Sequence, residues 1–348
     1  MEAEMGSGGG HLIRGNTIND NGLCGIAGWN HRGTRIIDNT VLRNNRLGYR
    51  PGFDANWEEH AGIKLHGADA LIEGNLVCDN NGAGIWVDNG FTNARITRNI
   101  VLNNARCGVF LELGKGPCLV DNNIIGVSTG DGVYAHDASG ITVAHNLIFA
   151  NAGFGVWMRN VSTRKAGGKI VETSRERIYG NILLNNSRGA IGLPYESKRA
   201  TDNNSNFNVI SMHGPALPFH IPWSHGCTDG KTVGKELQKA LEDAGGNTSE
   251  HPNWKVWPKR RVLDLKQWQL LMGMDQGSTM AKGAIGIDFR RNVMTLRVNA
   301  KKELLAVSCP VIEGVENDYW GKPMPKDGRI PGPFQGLKEG NNGFVLKR

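Results

Sequence analysis

No apolar run in this sequence approaches the ~18 residues that a membrane-crossing helix needs, which excludes a helical span. Six cysteines (Cys24, Cys78, Cys107, Cys118, Cys227 and Cys309) form no CxxC pair and keep no regular spacing, so neither a zinc ribbon nor a disulfide framework is implied. Cys and His are not clustered either, so no metal site and no cofactor are expected. Aromatic residues make up only 7 % while glycine reaches 48 of 348 positions, a balance that suits many tight turns better than one bulky core. The formal net charge is +7, yet Lys and Arg are scattered rather than blocked; this points away from nucleic acid and is compatible with an acidic glycan. The opening MEAEMGSGGGH has no apolar core of a signal peptide, and residues 1–10 read as a flexible leader or cloning scar, with natural upstream coils expected to be missing. Compartment and oligomeric state stay open.

What the chain does have is a repeat. Asn followed by an apolar pair recurs as GNTI at Asn16, DNTV at Asn39, GNLV at Asn75, RNIV at Asn99, NNII at Asn123, HNLI at Asn146, GNIL at Asn181 and FNVI at Asn208. Successive steps are 23, 36, 24, 24, 23, 35 and 27 residues, so two of the repeats carry insertions. Each repeat also holds a short strand after a glycine: CGIAGW, AGIKLH, AGIWVD, CGVFLE, DGVYAH and FGVWMR. Short strands, glycine turns and a stacked Asn column predict an all-β chain, a right-handed parallel β-helix or pectin-lyase-like solenoid, with handedness following the rule for parallel crossovers.

Alternate residues of a strand face opposite sides, so aligning the strands on their glycines separates four columns. The first column (Ile26, Ile63, Ile85, Val109, Val133, Val156) and the third (Gly28, Leu65, Val87, Leu111, Ala135, Met158) suit a narrow interior. The second reads Ala27, Lys64, Trp86, Phe110, Tyr134, Trp157, and the fourth Trp29, His66, Asp88, Glu112, His136, Arg159. An aromatic row is therefore expected beside a polar row, both facing outward.

The repeats span residues 11–212, the β-helix with its active-site face. Residues 213–348 form a C-terminal extension expected to pack on it, with short helices in TVGKELQKALEDAG and LDLKQWQLLMG. The insertion from Asn45 to His60 is dense in aromatic and acidic residues and should fold over the polar column, bringing Trp57 and Glu59 toward it. The second insertion, from Val161 to Gly180, is basic and reads as a solvated loop.

Asp88 and Glu112 stand 24 residues apart at one strand position of adjacent coils. In-register neighbours are about 4.8 Å apart, near the ~5–5.5 Å between carboxyls of retaining glycosidases and short of the ~6.5–9.5 Å of inverting ones. Two close carboxylates also split their titrations, so Glu112 is expected to be kept protonated beside an ionised Asp88. Trp86, Phe110, Tyr134 and Trp157 would offer flat faces to a sugar, and Lys64, His66, His136 and Arg159 donors to its hydroxyls or to a uronate.

The run GIWVDNGFTNARITRNIVLNNARCGVFLELGKGPCLVDNNII resembles the core of glycoside hydrolase family 120, the parallel β-helix β-xylosidases, over about residues 57–125. That resemblance implies Asp88 as nucleophile, Glu112 as general acid/base, and Glu59 with Lys64, five residues apart, as sugar-holding groups. The family's upstream coils and inserted β-sandwich have no counterpart in this sequence, and family 141 shares the architecture. LKQWQLLMGMDQGS and DYWGKPMP…GPFQGL resemble C-terminal segments of other carbohydrate-active β-helices. The expectation is a retaining glycoside hydrolase on an oligo- or polysaccharide, β-xylosidase-like. A polysaccharide lyase or uronan epimerase and a non-catalytic glycan-binding β-helix stay open beside it.

Overall fold

The computed structural model describes residues 9–29, 32–48, 60–67, 69–214, 216–222, 224–227, 261–281, 286–290 and 295–346, with six further positions between 232 and 243. The chain winds as a right-handed parallel β-helix of three sheets. One has eight strands, from Leu12–Arg14 to Asn204–Asn206. A second has nine, from Thr17–Asn19 to Thr279–Met280. The third, also of nine, runs from Ile26–Trp29 to Arg261–Leu263 and carries the polar column. In that third sheet Ile63 pairs with Ile85, Ile85 with Val109, Val109 with Val133 and Val133 with Val156, and all five are fully buried. Glycine opens these strands because the coils are too close for a Cβ. One added to Gly84 would sit 2.6 Å from the Gly108 carbonyl oxygen and 2.5 Å from Val101 Cγ1.

The Asn column forms the expected ladder. Each Nδ2 from Asn16 through Asn39, Asn75, Asn99, Asn123, Asn146 and Asn181 donates to Oδ1 of the next, ending on Asn208, at 3.0–3.1 Å. A second ladder five residues further on was not read from the sequence. It joins Asn21, Asn44, Asn80 and Asn104, then Asn151 and Asn186, at 2.8–3.0 Å. Ser128 interrupts it. Among the described residues Asn104 Nδ2 bonds only the carbonyls of Val77 and Leu102, and the buried Ser128 hydroxyl has no hydrogen-bond partner. Ser128→Asn should restore the rung and raise stability by about 1 kcal/mol, read as a higher urea midpoint at unchanged slope. A lower midpoint would mean that the turn has no room for the amide.

The last coil is completed by segments beyond residue 212: Phe219–Ile221 runs parallel to Gly189–Gly192, and Thr279–Met280 runs parallel to Val209–Ser211. The predicted helix in LDLKQWQLLMG spans Leu265–Met272, with a capping box between Asp264 and Gln267 and a left-handed Gly273. Its Trp268 stacks on Phe219 at 4.9 Å and donates to Asp275, which also accepts from Asn208, so helix and carboxylate together close the interior and end the first ladder. The described residues of the other predicted helix, between 232 and 243, are helical. A three-stranded antiparallel sheet (Gly286–Arg290, Thr295–Ala300, Gly340–Val345) follows. Leu296, Val298, Leu304 and Phe334 from this tail cover outward residues of the second sheet, among them Leu76, Ile100, Ile124 and Ile182. Those are the first residues of the apolar pairs, whose second members (Val77, Val101, Ile125, Leu183) face inward. The paired pattern thus records a sheet buried on both faces, leaving the third sheet to carry the site.

Candidate functional site

The polar column forms in register. Trp29 pairs with His66, His66 with Asp88, Glu112 with His136, and His136 with Arg159. Pairing of Val87 with Leu111 and donation from Asn89 N to the Glu112 carbonyl at 3.0 Å set Asp88 and Glu112 side by side on adjacent coils. Both residues are nearly buried, at 9 % and 7 % exposure.

Each carboxylate has its own partners. Lys64, itself buried, puts Nζ 2.8 Å from Asp88 Oδ2, and Asn89 N donates to Oδ1 at 2.5 Å. His66 Nδ1 lies 3.7 Å from the same Oδ2, beyond hydrogen-bond length, with its ring stacked on Trp29 at 4.2 Å. On the neighbouring coil, His136 Nε2 lies 2.8 Å from Glu112 Oε1, off the line of a ring N–H hydrogen bond. Arg164 Nη1 donates to that oxygen at 2.5 Å. Both partners thus sit on Oε1. Behind them the Tyr134 hydroxyl meets His136 Nδ1 at 2.8 Å, with Arg159 at 3.3 Å on the hydroxyl's other side.

Arg164 comes from the second insertion, whose basic composition predicts a solvated loop. The loop is pinned by Asp137, a fully buried residue at a left-handed corner. Asp137 accepts from Val161 N, Ser162 N, the Ser162 hydroxyl and Arg164 Nε, at 2.6–3.2 Å. These bonds turn a basic insertion into part of the site.

The electrostatics correct one expectation. Burial pushes the Asp88 carboxyl up; the Lys64 ammonium pulls against it, and the neighbouring Glu112 anion adds to the rise. Burial also raises Glu112, but His136 and Arg164 overcome it and bring the group down to about 2. In the substrate-free site Glu112 is therefore held ionised rather than protonated, because His136 and Arg164 together outweigh the cost of burying its charge.

The aromatic row also differs from expectation. Trp86, Phe110 and Tyr134 do stack, at 4.7 and 5.0 Å between ring centroids, but the stack consumes their faces. Phe110 has no exposed surface and cannot be a sugar platform. Trp86 has Lys64 Nζ 2.8 Å from its ring centre and Phe110 against it, with the Arg106 guanidinium 4.9 Å away. The row pairs outward side chains on strands too close for anything but ring-on-ring contact. Trp157 leaves the row, stacking on Phe154 at 3.9 Å across Gly192, where a side chain would block it. Tyr134, half-buried, stays beside the carboxylates through His136. Trp57 and Glu59, with most of the first insertion, lie outside the described residues.

Two overlapping segments, residues 2–125 and 52–166, match the family model of the right-handed β-helix region. Among solved structures, the complex of XylC with xylose superposes with a TM-score of 0.63 at 19 % identity, over 97 % of this chain and 52 % of that one. This chain thus spans about half the length of that protein. The periplasmic alginate epimerase AlgG gives 0.47 at 19 % identity, over 58 % of this chain and 45 % of that one. The A-module of the Azotobacter vinelandii mannuronan C-5 epimerase AlgE4 gives 0.45 at 20 % identity, over 61 % and 57 %. No curated protein sequence matches. The family model and the superposition on XylC establish the fold.

Proposed function

We propose that this chain is a carbohydrate-active β-helix and, more specifically, a retaining glycoside hydrolase acting on a xylose-like sugar. The observation that carries the reading is the pair Asp88–Glu112, in register on adjacent coils and each bonded to its own cation. In this reading Asp88, oriented by Lys64 and the Asn89 amide, attacks the anomeric carbon. Glu112 protonates the departing oxygen and later takes a proton from the incoming water. The solved xylose complex of XylC supports the sugar class by likeness of architecture.

The test is a panel of nitrophenyl glycosides followed by proton NMR of the first-formed sugar. Turnover of the β-xyloside with the β-anomer appearing first is expected. First appearance of the α-anomer would replace the retaining assignment by an inverting one. One feature favours a second reading, a uronan lyase or epimerase: the Tyr134 hydroxyl, held between His136 and Arg159, is placed as a proton-transfer group. Ultraviolet absorbance of an unsaturated product from a polyuronate, with no hydrolysis of any aryl glycoside, would decide for that class. Glycan binding with no turnover of either kind would decide for a binding module.

A further inference from the structure

We propose that Arg164 is the positioning residue of the general acid: anchored on Asp137, it holds the Glu112 carboxylate in the substrate-free site and releases it to the leaving-group oxygen. The inference rests on the glycosidase reading. Its geometric basis is a fork across two carboxylates, with Arg164 Nε on Asp137 Oδ2 at 3.1 Å and Nη1 on Glu112 Oε1 at 2.5 Å. The Arg164 side chain is 39 % exposed against 10 % for Glu112, so the guanidinium is the member that can move while the carboxylate stays on its strand. Among the described residues its Nη2 is buried without an acceptor, leaving a donor for a sugar oxygen.

The groups facing Glu112 come from three sides. The preceding coil brings Asp88, with Lys64 and His66 behind it. The following coil brings His136, backed by Tyr134 and Arg159. The insertion brings Arg164 and, through it, Asp137. Of the two that favour the anion directly, only Arg164 is charged at every working pH. In the first chemical step the Glu112 acid gives its proton to the glycosidic oxygen as the C1–O bond breaks and an Asp88 oxygen bonds C1. In the second, water bonds C1, its proton goes to the Glu112 carboxylate, and Asp88 leaves as the anion. A guanidinium on Oε1 opposes the first step, so it must withdraw before Glu112 can carry the proton.

The experiment is a carboxyl-carbon NMR titration of ¹³C-glutamate-labelled protein, with the Glu112 signal assigned by its loss in Glu112→Gln. In Arg164→Met the Glu112 midpoint should rise by at least one pH unit; in Arg164→Lys, which keeps a charge, it should rise less. In parallel, the alkaline limb of kcat/KM on phenyl β-xyloside should move to higher pH by the same amount. Activity falls as pH rises through the acid's titration, so a raised midpoint extends the active range upward. On a dinitrophenyl glycoside, which departs without a proton, the alkaline limb of kcat/KM should not follow the Glu112 midpoint. An unmoved midpoint in Arg164→Met, with a circular dichroism melt like that of wild type, overturns the proposal. A midpoint that moves in a protein that turns over no glycoside overturns the glycosidase reading and the acid role with it, and shows the charge coupling to be structural.

Discussion

Asp88→Ala is expected to lower kcat/KM on every aryl xyloside by about 10⁴-fold or more, whatever the leaving group, since no glycosyl-enzyme can form without its oxygen. Glu112→Ala should separate substrates instead. A poor leaving group such as phenol should lose about 10³-fold, whereas a dinitrophenolate, needing no proton, should form the glycosyl-enzyme at close to the wild-type rate. Azide should then restore turnover of Glu112→Ala and yield a β-glycosyl azide, because an anion that needs no general base can enter the space left by the carboxylate. A β-azide from Asp88→Ala together with an α-azide from Glu112→Ala would exchange the two roles. That exchange is a live comparison, since in the free protein Glu112 is the carboxyl held down to about 2 while Asp88 is raised.

The second large effect is on stability. Asn123 is fully buried in the first ladder. Its Oδ1 accepts from Asn99 N and Asn99 Nδ2, and its Nδ2 donates to the Ile96 carbonyl and to Asn146 Oδ1, all at 2.8–3.0 Å. Asn123→Ala removes all four bonds: Asn99 N loses its partner, while Asn99 Nδ2 keeps the carbonyls of Ile72 and Thr97 and Asn146 Oδ1 keeps the Asn123 amide. At about 1 kcal/mol for each buried bond lost, a loss of about 4 kcal/mol is expected in urea unfolding. Arg14→Ala, which removes an exposed bond to Asp38 from a strand residue, should cost under about 0.5 kcal/mol and serves as the control. Equal midpoints for the two variants would mean that the turns relax around the missing amide.

Much of the fold was legible because a solenoid writes the same physical constraint once per coil. Ile63, Ile85, Val109 and Val133 could be aligned before any coordinates, and the alternation of strand faces then put Asp88 beside Glu112. The second ladder escaped because Ser128 breaks its run of amides, although an Asn five residues after each of Asn16, Asn39, Asn75 and Asn99 was there to be seen. Arg164 escaped for a deeper reason. An insertion has no register, so its sequence does not say where it lands; its place is set by the four bonds to Asp137, and these depend on a left-handed corner invisible to composition. The aromatic row was located correctly but misjudged in exposure: sequence gives the side of the sheet a ring is on, not whether its neighbours leave a face uncovered.

The tail laid along the second sheet has a consequence for how the molecule comes apart. A bare stack of coils can fray from either end, because each turn touches only its neighbours and its free energy is nearly a sum of adjacent terms. Here residues 296–346 share one apolar layer with turns from Leu76 to Val209, and single bonds stitch Asn122 to Asn317 and Gly332 to Gly180. Turns far apart in the stack are thereby coupled through a common strap. Loosening the terminal turn uncovers surface on turns several windings away, so the array behaves less like a zipper than like a bound book, whose pages do not come loose singly while the spine holds.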